Sequence, residues 1–415
     1  MPRRQGYALL IALVVGTAAL AAVVAFAGSL LFSGPPRVKT VAAPGPQGVT
    51  RTPAAPAHST GLWLATWAAA PVRGETDPEQ GTDPRLRTIR NVVHTSIGGD
   101  AARVTLSNLF GTHPLLIDHV TVNTLPVTFR SAPSVTVAAG GQIVSDPVVV
   151  PVTADADLVV TLRAPTARGP VTLHPNSHQT SSIEDPQGTR RTTDWRYLTA
   201  VDVRGESAAG TLVAFGDSLT AGAGSTTDAN SRWPDVLADR LAGRYAVVNQ
   251  GIAGNRLLRD GSGPRALDRF ERDVLAVTGA KTVVIALGIN DIHAFPQQTD
   301  PARITDALRS LTERAHTRGL RVIGATLMPY EGHRNWTPAQ NAVRARVNET
   351  IRAGGVFDQV LDFDRAARDP SHPDRLLPGY DSGDHLHLND TGYRRLGSLA
   401  DVPDLLRPRP SSNAL

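Results

Sequence analysis

The sequence predicts an α/β domain with a parallel sheet over residues 206–410, preceded by a β-rich sandwich or jelly-roll-like domain over 61–205. Two observations predict it. After Thr211, apolar strand-like runs alternate with amphipathic helical stretches, the pattern of a parallel sheet covered on both faces. Before residue 205, short apolar or alternating runs recur between Gly and Pro signals, and no long stretch has helical periodicity.

The N-terminal segment comes first. Tyr7 to Phe32 carries no charge and follows Arg3-Arg4. The run exceeds the signal-peptide core of about 7–15 residues and suits a membrane span of about 20. Ala25-Phe26-Ala27 before Gly28 resembles a cleavage site. Residues 1–35 are therefore a signal peptide or a single membrane anchor. Either reading sends the rest of the chain outside the cell or to its surface. Residues 36–60 are rich in Pro and Ala, lack apolar periodicity, and read as a linker.

In the β-rich region the strand candidates are Leu62-Trp63-Leu64, Arg103 to Leu106, Val120 to Val122, Val148 to Val150 and Leu158 to Leu162. In the second region the first strand is Thr211 to Phe215, followed by strands at 246–248, 282–287, 321–326 and 360–363. Helices are expected at 232–242, 265–277, 302–318, 338–353 and 391–399.

Composition excludes several chemistries. The chain has no cysteine, which removes disulfides, thiolate zinc sites and cysteine catalysis. Its net charge is +4, and of 42 basic residues only Lys39 and Lys281 are lysines. No dense basic run or aromatic-basic interleave is present, so no nucleic-acid partner is expected.

The chemistry-bearing residues sit at predicted strand ends. Gly216-Asp217-Ser218-Leu219-Thr220 follows the first strand of the parallel sheet, so Ser218 stands at a carboxyl edge, where open α/β folds place their sites. A serine needs a base to become a nucleophile, and Asp384-His385-Leu386-His387 supplies one. Asn249 to Asn255 follows the second strand and Gly288-Ile289-Asn290-Asp291 the third.

These four blocks, in this order, resemble the SGNH or GDSL hydrolase family over roughly residues 208–400. The family's serine, glycine, asparagine and histidine match Ser218, Gly254, Asn290 and His387, with Asp384 three residues before the histidine. The resemblance implies a flavodoxin-like, three-layer arrangement of five strands. It also implies a Ser218–His387–Asp384 triad and an oxyanion hole from the N–H groups of Ser218 and Gly254 and the amide of Asn290. The implied activity is carboxylic ester hydrolysis through an acyl-enzyme, with no metal or cofactor.

Other residues take quieter readings. Asp217 and Asp291 are expected to fix loops, and Asn255 and Asn389 to be loop residues. Ser96 is a turn residue, and His385 a surface histidine rather than half of a metal pair. Trp336, Tyr330 and His333 fall in the loop after the fourth strand, and Arg344 and Asn348 are assigned to surface or local packing. An exported β-rich module beside the catalytic region suits a small-molecule or glycan acyl ester, short-chain or acetyl. Acyl transfer to a cell-envelope sugar, and a non-catalytic carbohydrate-binding surface protein, stand as alternatives. The β-rich region is expected to form a separate module without chemistry of its own.

Overall fold

A computed structural model describes residues 61–76, 87–165, 167–186, 188–205, 208–401 and 405. The expected signal or anchor and the linker lie outside these residues. Among the described residues, no helix is long and apolar enough to cross a membrane.

Several strands in the β-rich region alternate buried and less buried positions, so each of these presents one face to a core. Ala156–Arg163 reads this way, with Leu158, Val160 and Leu162 inward. Two larger antiparallel sheets result. One runs Leu62–Ala68, Leu198–Gly205, Gly99–Ser107, Gln142–Val144, with Val148–Val152 also on Gly99–Ser107. The other runs Gly188–Thr192, Ser181–Asp185, Thr88–Thr95, Ala156–Arg163, Leu115–Val122, Leu125–Pro126, with Ser134–Val137 on Leu115–Val122. Val104, Leu106 and Val203 from the first and Val93, Ile117 and Val160 from the second share one apolar core. This is sandwich packing.

The parallel sheet orders its strands Ala246–Gly251, Thr211–Gly216, Ala280–Ala286, Arg321–Ala325, Gln359–Leu361. Thr211–Gly216 is buried along its whole length, as a central parallel strand must be. Its side chains alternate between two layers. Val213 and Phe215 join Ala266, Phe270, Leu308 and Val347 on one face. Leu212 and Ala214 join Trp233, Leu237, Phe363 and Tyr393 on the other. The two longest helices begin on capping residues the sequence supplies. Asp300 accepts from the Ala302 N–H ahead of Pro301–Thr317, and Thr337 from the Gln340 N–H ahead of Pro338–Arg352, each with proline first.

Two elements differ from expectation. The helix expected at 265–277 is an α-helix over Ala266–Phe270 followed by a π-helical turn over Glu271–Leu275. The fifth strand stops at Leu361, because Asp362 caps a short helix, Phe363–Ala367, by accepting from the Arg365 N–H. Two further short helices, Ser218–Ala221 and Ile289–His293, follow the first and third strands of the parallel sheet.

The described residues form one compact unit. The β-rich part does not stand apart from the parallel-sheet part. Ala65 and Ala68 of the strand Leu62–Ala68 enter the parallel sheet's core, and Ala246 and Ile252 enter the sandwich core. Ser96, read from sequence as a turn residue, is part of this seam. Its hydroxyl donates to the Thr66 carbonyl and accepts from the Val247 N–H at 3.0 Å. Val247 belongs to an edge strand, so the seam covers an otherwise open sheet edge.

Candidate active site

The strand Thr211–Gly216 ends where a side chain has no room. A Cβ on Gly216 would meet the Thr220 side chain. Asp217 then caps the helix Ser218–Ala221, its carboxylate accepting from the Leu219 N–H at 3.0 Å. Ser218 is the first helical residue, a position whose N–H has no acceptor inside the helix. The helix closes on Gly222, left-handed at φ 98°.

Ser218 Oγ lies 2.8 Å from His387 Nε2. On the other side of the ring, His387 Nδ1 lies 2.6 Å from Asp384 Oδ2. The remaining oxygen, Asp384 Oδ1, accepts from the backbone N–H groups of Leu386 (3.0 Å) and His387 (2.8 Å). Burial alone would raise the Asp384 pKa. The His387 N–H, its imidazole and the Leu386 N–H outweigh that, and hold the carboxyl well below the usual carboxylate range. An ionised carboxylate on Nδ1 keeps the proton there and leaves Nε2 as acceptor toward the serine.

His385 is not in this chain. Its backbone is left-handed at φ 63°, and its Nδ1 lies 2.6 Å from Asp381 Oδ2. Two Asp–His pairs thus interleave over 381–387, and only one reaches Ser218. Among the described residues, no group of three His, Cys, Asp or Glu side chains is placed to hold a metal ion.

Gly254 is left-handed at φ 74°, a conformation that favours glycine, and its N–H makes no hydrogen bond within the described residues. Asn290 Nδ2 donates to the Asn255 carbonyl at 3.0 Å, tying the third block to the second. Asp291 accepts from the Leu257 and Leu258 N–H groups at 2.7 and 3.0 Å, which fixes the loop after Gly254. Asp217 and Asp291 are thus both loop-fixing, as read from sequence. Burial, with the Asp291 charge added, pushes the Asp217 carboxyl up to about 7.

The comparisons bear on this arrangement. Residues 214–395 match the model of the GDSL-like lipase/acylhydrolase family. The match covers this segment of the chain, which is similar to that family. Residues 61–205 lie outside the match.

Solved structures with similarity to part of this chain include three enzymes. An aryl esterase from M. smegmatis is 19% identical, covering 48% of this chain and 100% of its own, at a TM-score of 0.39. A GDSL-like lipase from Bacteroides thetaiotaomicron is 20% identical, covering 46% and 85%, at 0.35. A carbohydrate acetylesterase from Sinorhizobium meliloti is 16% identical, covering 45% and 94%, at 0.38. A search of curated proteins gives no match.

The structure adds residues around the candidate site that the sequence did not single out. Arg269 is fully buried and joins the first two blocks. It donates to the carbonyls of Gly216 (2.8 Å) and Gln250 (2.8 Å) and to Asn255 Oδ1 (2.9 Å), and pairs with Asp273. His293 sits one turn after Asn290, its Nε2 3.0 Å from Asn290 Oδ1. A histidine three positions after the block asparagine on a helix was the available signal. His178 comes from the β-rich part. Burial lowers its pKa, followed by the Arg232 charge, and its carbonyl accepts from the Asp228 N–H.

Of the quieter readings, Tyr330 packs with Ile289 and Leu386, flanked by Trp336, so the loop after the fourth strand does border the catalytic blocks. Asn389 caps the last helix, accepting from the Thr391 and Gly392 N–H groups. Arg344 and Asn348 are not surface residues. Arg344 pairs with Asp364 and Asp374, and Asn348 brackets Leu327 through its N–H and carbonyl.

Proposed function

We propose that this protein is an exported serine esterase that cleaves short acyl esters, acetyl esters on carbohydrates among them, through an acyl-enzyme on Ser218. The observation that carries the reading is the unbroken Ser218–His387–Asp384 hydrogen-bonded chain. His387 Nε2 takes the hydroxyl proton as Ser218 Oγ bonds to the ester carbonyl carbon. The oxyanion is met by the N–H groups of Ser218 and Gly254 and by Asn290 Nδ2. As the carbon–alkoxide bond breaks, His387 returns the proton to the leaving alcohol. Water then attacks the acyl-enzyme, gives a proton to His387, and the acid departs as Ser218 regains its hydrogen.

An open cleft of about 680 Å³ adjoins Gly254, with Arg256, Arg259, Asp260 and Asp268 in its walls. A polar, open cleft suits a hydrophilic alcohol better than a long acyl chain. Export is supported by the uncharged run at 7–32.

The test is covalent labelling followed by turnover. A fluorophosphonate is expected to modify Ser218, mapped by peptide mass, and Ser218→Ala to lose p-nitrophenyl acetate turnover with an unchanged melting temperature. His387→Ala is expected to lose most activity and His385→Ala little, since His385 bonds Asp381. Normal turnover by Ser218→Ala, or a larger loss from His385→Ala than from His387→Ala, refutes the reading.

A further inference from the structure

We propose that His293 is a positioning residue that locks the Asn290 amide in the orientation an oxyanion donor needs. The inference rests on the esterase reading of the site and adds a residue to it.

The orientation follows from hydrogen-bond bookkeeping. An Asn amide has one accepting oxygen and one donating nitrogen, and a neighbour of fixed polarity decides which is which. The Asn255 carbonyl only accepts, so the Asn290 atom facing it at 3.0 Å is Nδ2. Oδ1 therefore faces His293 Nε2 at 3.0 Å, and that nitrogen must carry hydrogen to donate. Both side chains are buried, at 5% and 8% exposure, so water does not share the work. Burial, with the nearby charges of His333 and His387, lowers the His293 pKa to about 4. The ring is then neutral at pH 7, and the tautomer with hydrogen on Nε2 leaves Nδ1 as a bare acceptor.

That bare Nδ1 is buried without a partner in the protein. An unsatisfied buried polar atom is costly, and native structures keep few of them. Here the ring serves its other nitrogen. With Oδ1 held by His293 and one Nδ2 hydrogen held by Asn255, the second Nδ2 hydrogen is the only amide group left, and it is free to meet an oxyanion. A donor on Oδ1 also polarises the amide, so its N–H strengthens as charge develops on the substrate oxygen. The ring itself is held in place, 5.3 Å edge-to-face from His333 and beside Tyr330.

The test is a double-mutant cycle on p-nitrophenyl acetate. His293→Phe keeps the ring and removes the donor, and is expected to lower kcat by about 10-fold with KM within about twofold. His293→Gln restores an N–H at similar reach and is expected to recover most of kcat. Asn290→Ala is expected to lower kcat by about 10²–10³. Asn290→Ala combined with His293→Phe is expected to be no slower than Asn290→Ala alone, because the histidine acts only through the amide. Independent, additive losses, or no recovery by His293→Gln, overturn the positioning role and leave the esterase reading standing. Undiminished kcat in Asn290→Ala overturns the oxyanion assignment and the positioning role with it. If Phe at 293 lowers the melting temperature, the comparison of His293→Gln with His293→Leu decides between the outcomes.

Discussion

Asp217 stands beside the proposed nucleophile and carries a folding penalty. It is 1% exposed, and burial raises its pKa from 3.8 to about 7. The folded state then binds a proton that the unfolded chain releases above its own lower pKa. Stability from this group is full at acid pH, falls as pH rises from about 4 to about 7, and is level beyond. The span of about three pKa units corresponds to about 4 kcal/mol. Asp217→Asn keeps an oxygen to accept from the Leu219 N–H and has no charge to bury. Its melting temperature is expected to exceed that of the natural protein at pH 8, with the gap narrowing toward pH 5. Scanning calorimetry at several pH values checks this, and parallel curves would refute it.

At the scale of the element, Arg269 shows why a helix of five residues matters. The helix Ala266–Phe270 hands over to a π-helical turn, and its guanidinium holds the carbonyls of Gly216 and Gln250 at the ends of two strands. The guanidinium also lies 4.1 Å from the Phe215 ring centroid. Removing the guanidinium takes a donor from the Gly216 and Gln250 carbonyls and from Asn255 Oδ1, while Asp273 keeps Arg272, a loss of about 1–3 kcal/mol. Arg269→Met is expected to lower the denaturant midpoint on that scale, and Arg269→Lys to recover only part, since an ammonium lacks the planar fork. Both variants are also expected to lose kcat in the folded fraction, because the strand ends carry Ser218 and the Gly254 loop. A variant as stable and as active as the parent would remove Arg269 from the site's framework.

The whole molecule binds the nucleophile's own loop to the β-rich part. Arg232 Nη1 donates to the Ser177 carbonyl at 3.0 Å, and the Asp228 N–H to the His178 carbonyl at 3.0 Å. Asp228 in turn accepts from the Thr180 N–H and hydroxyl at 2.5 and 2.7 Å. A fragment from residue 206 onward would expose the edge strand Ala246–Gly251 and leave the 222–232 loop without these partners. It is expected to aggregate or to hydrolyse p-nitrophenyl acetate far more slowly than the 60–415 protein, measured on the soluble fraction. A soluble fragment with full activity would show that the loop holds its shape alone.

The sequence by itself determined the succession of strands and helices along the chain, because buried strands and amphipathic helices write their periods into it. It also carried Ser218, Gly254, Asn290, Asp384 and His387, since each lies in a short block at a strand end or in a local turn. Local spacing brought Asp384 to His387, three residues apart. Tertiary structure alone decided what those blocks lean on. Arg269 is one of many arginines in the sequence, and nothing local separates it from solvent-facing neighbours. Its carbonyl partners lie on two other strands. His293 had no reading from sequence, and its place against Asn290 Oδ1 comes from the structure, where Asn255 fixes which way the amide points. The seam through Ala65, Ser96 and Val247 joins residues about 150 positions apart. Hydrogen-bond partners and packing neighbours at such separations depend on how the sheets are placed together. Periodicity describes one element at a time and carries no record of that placement.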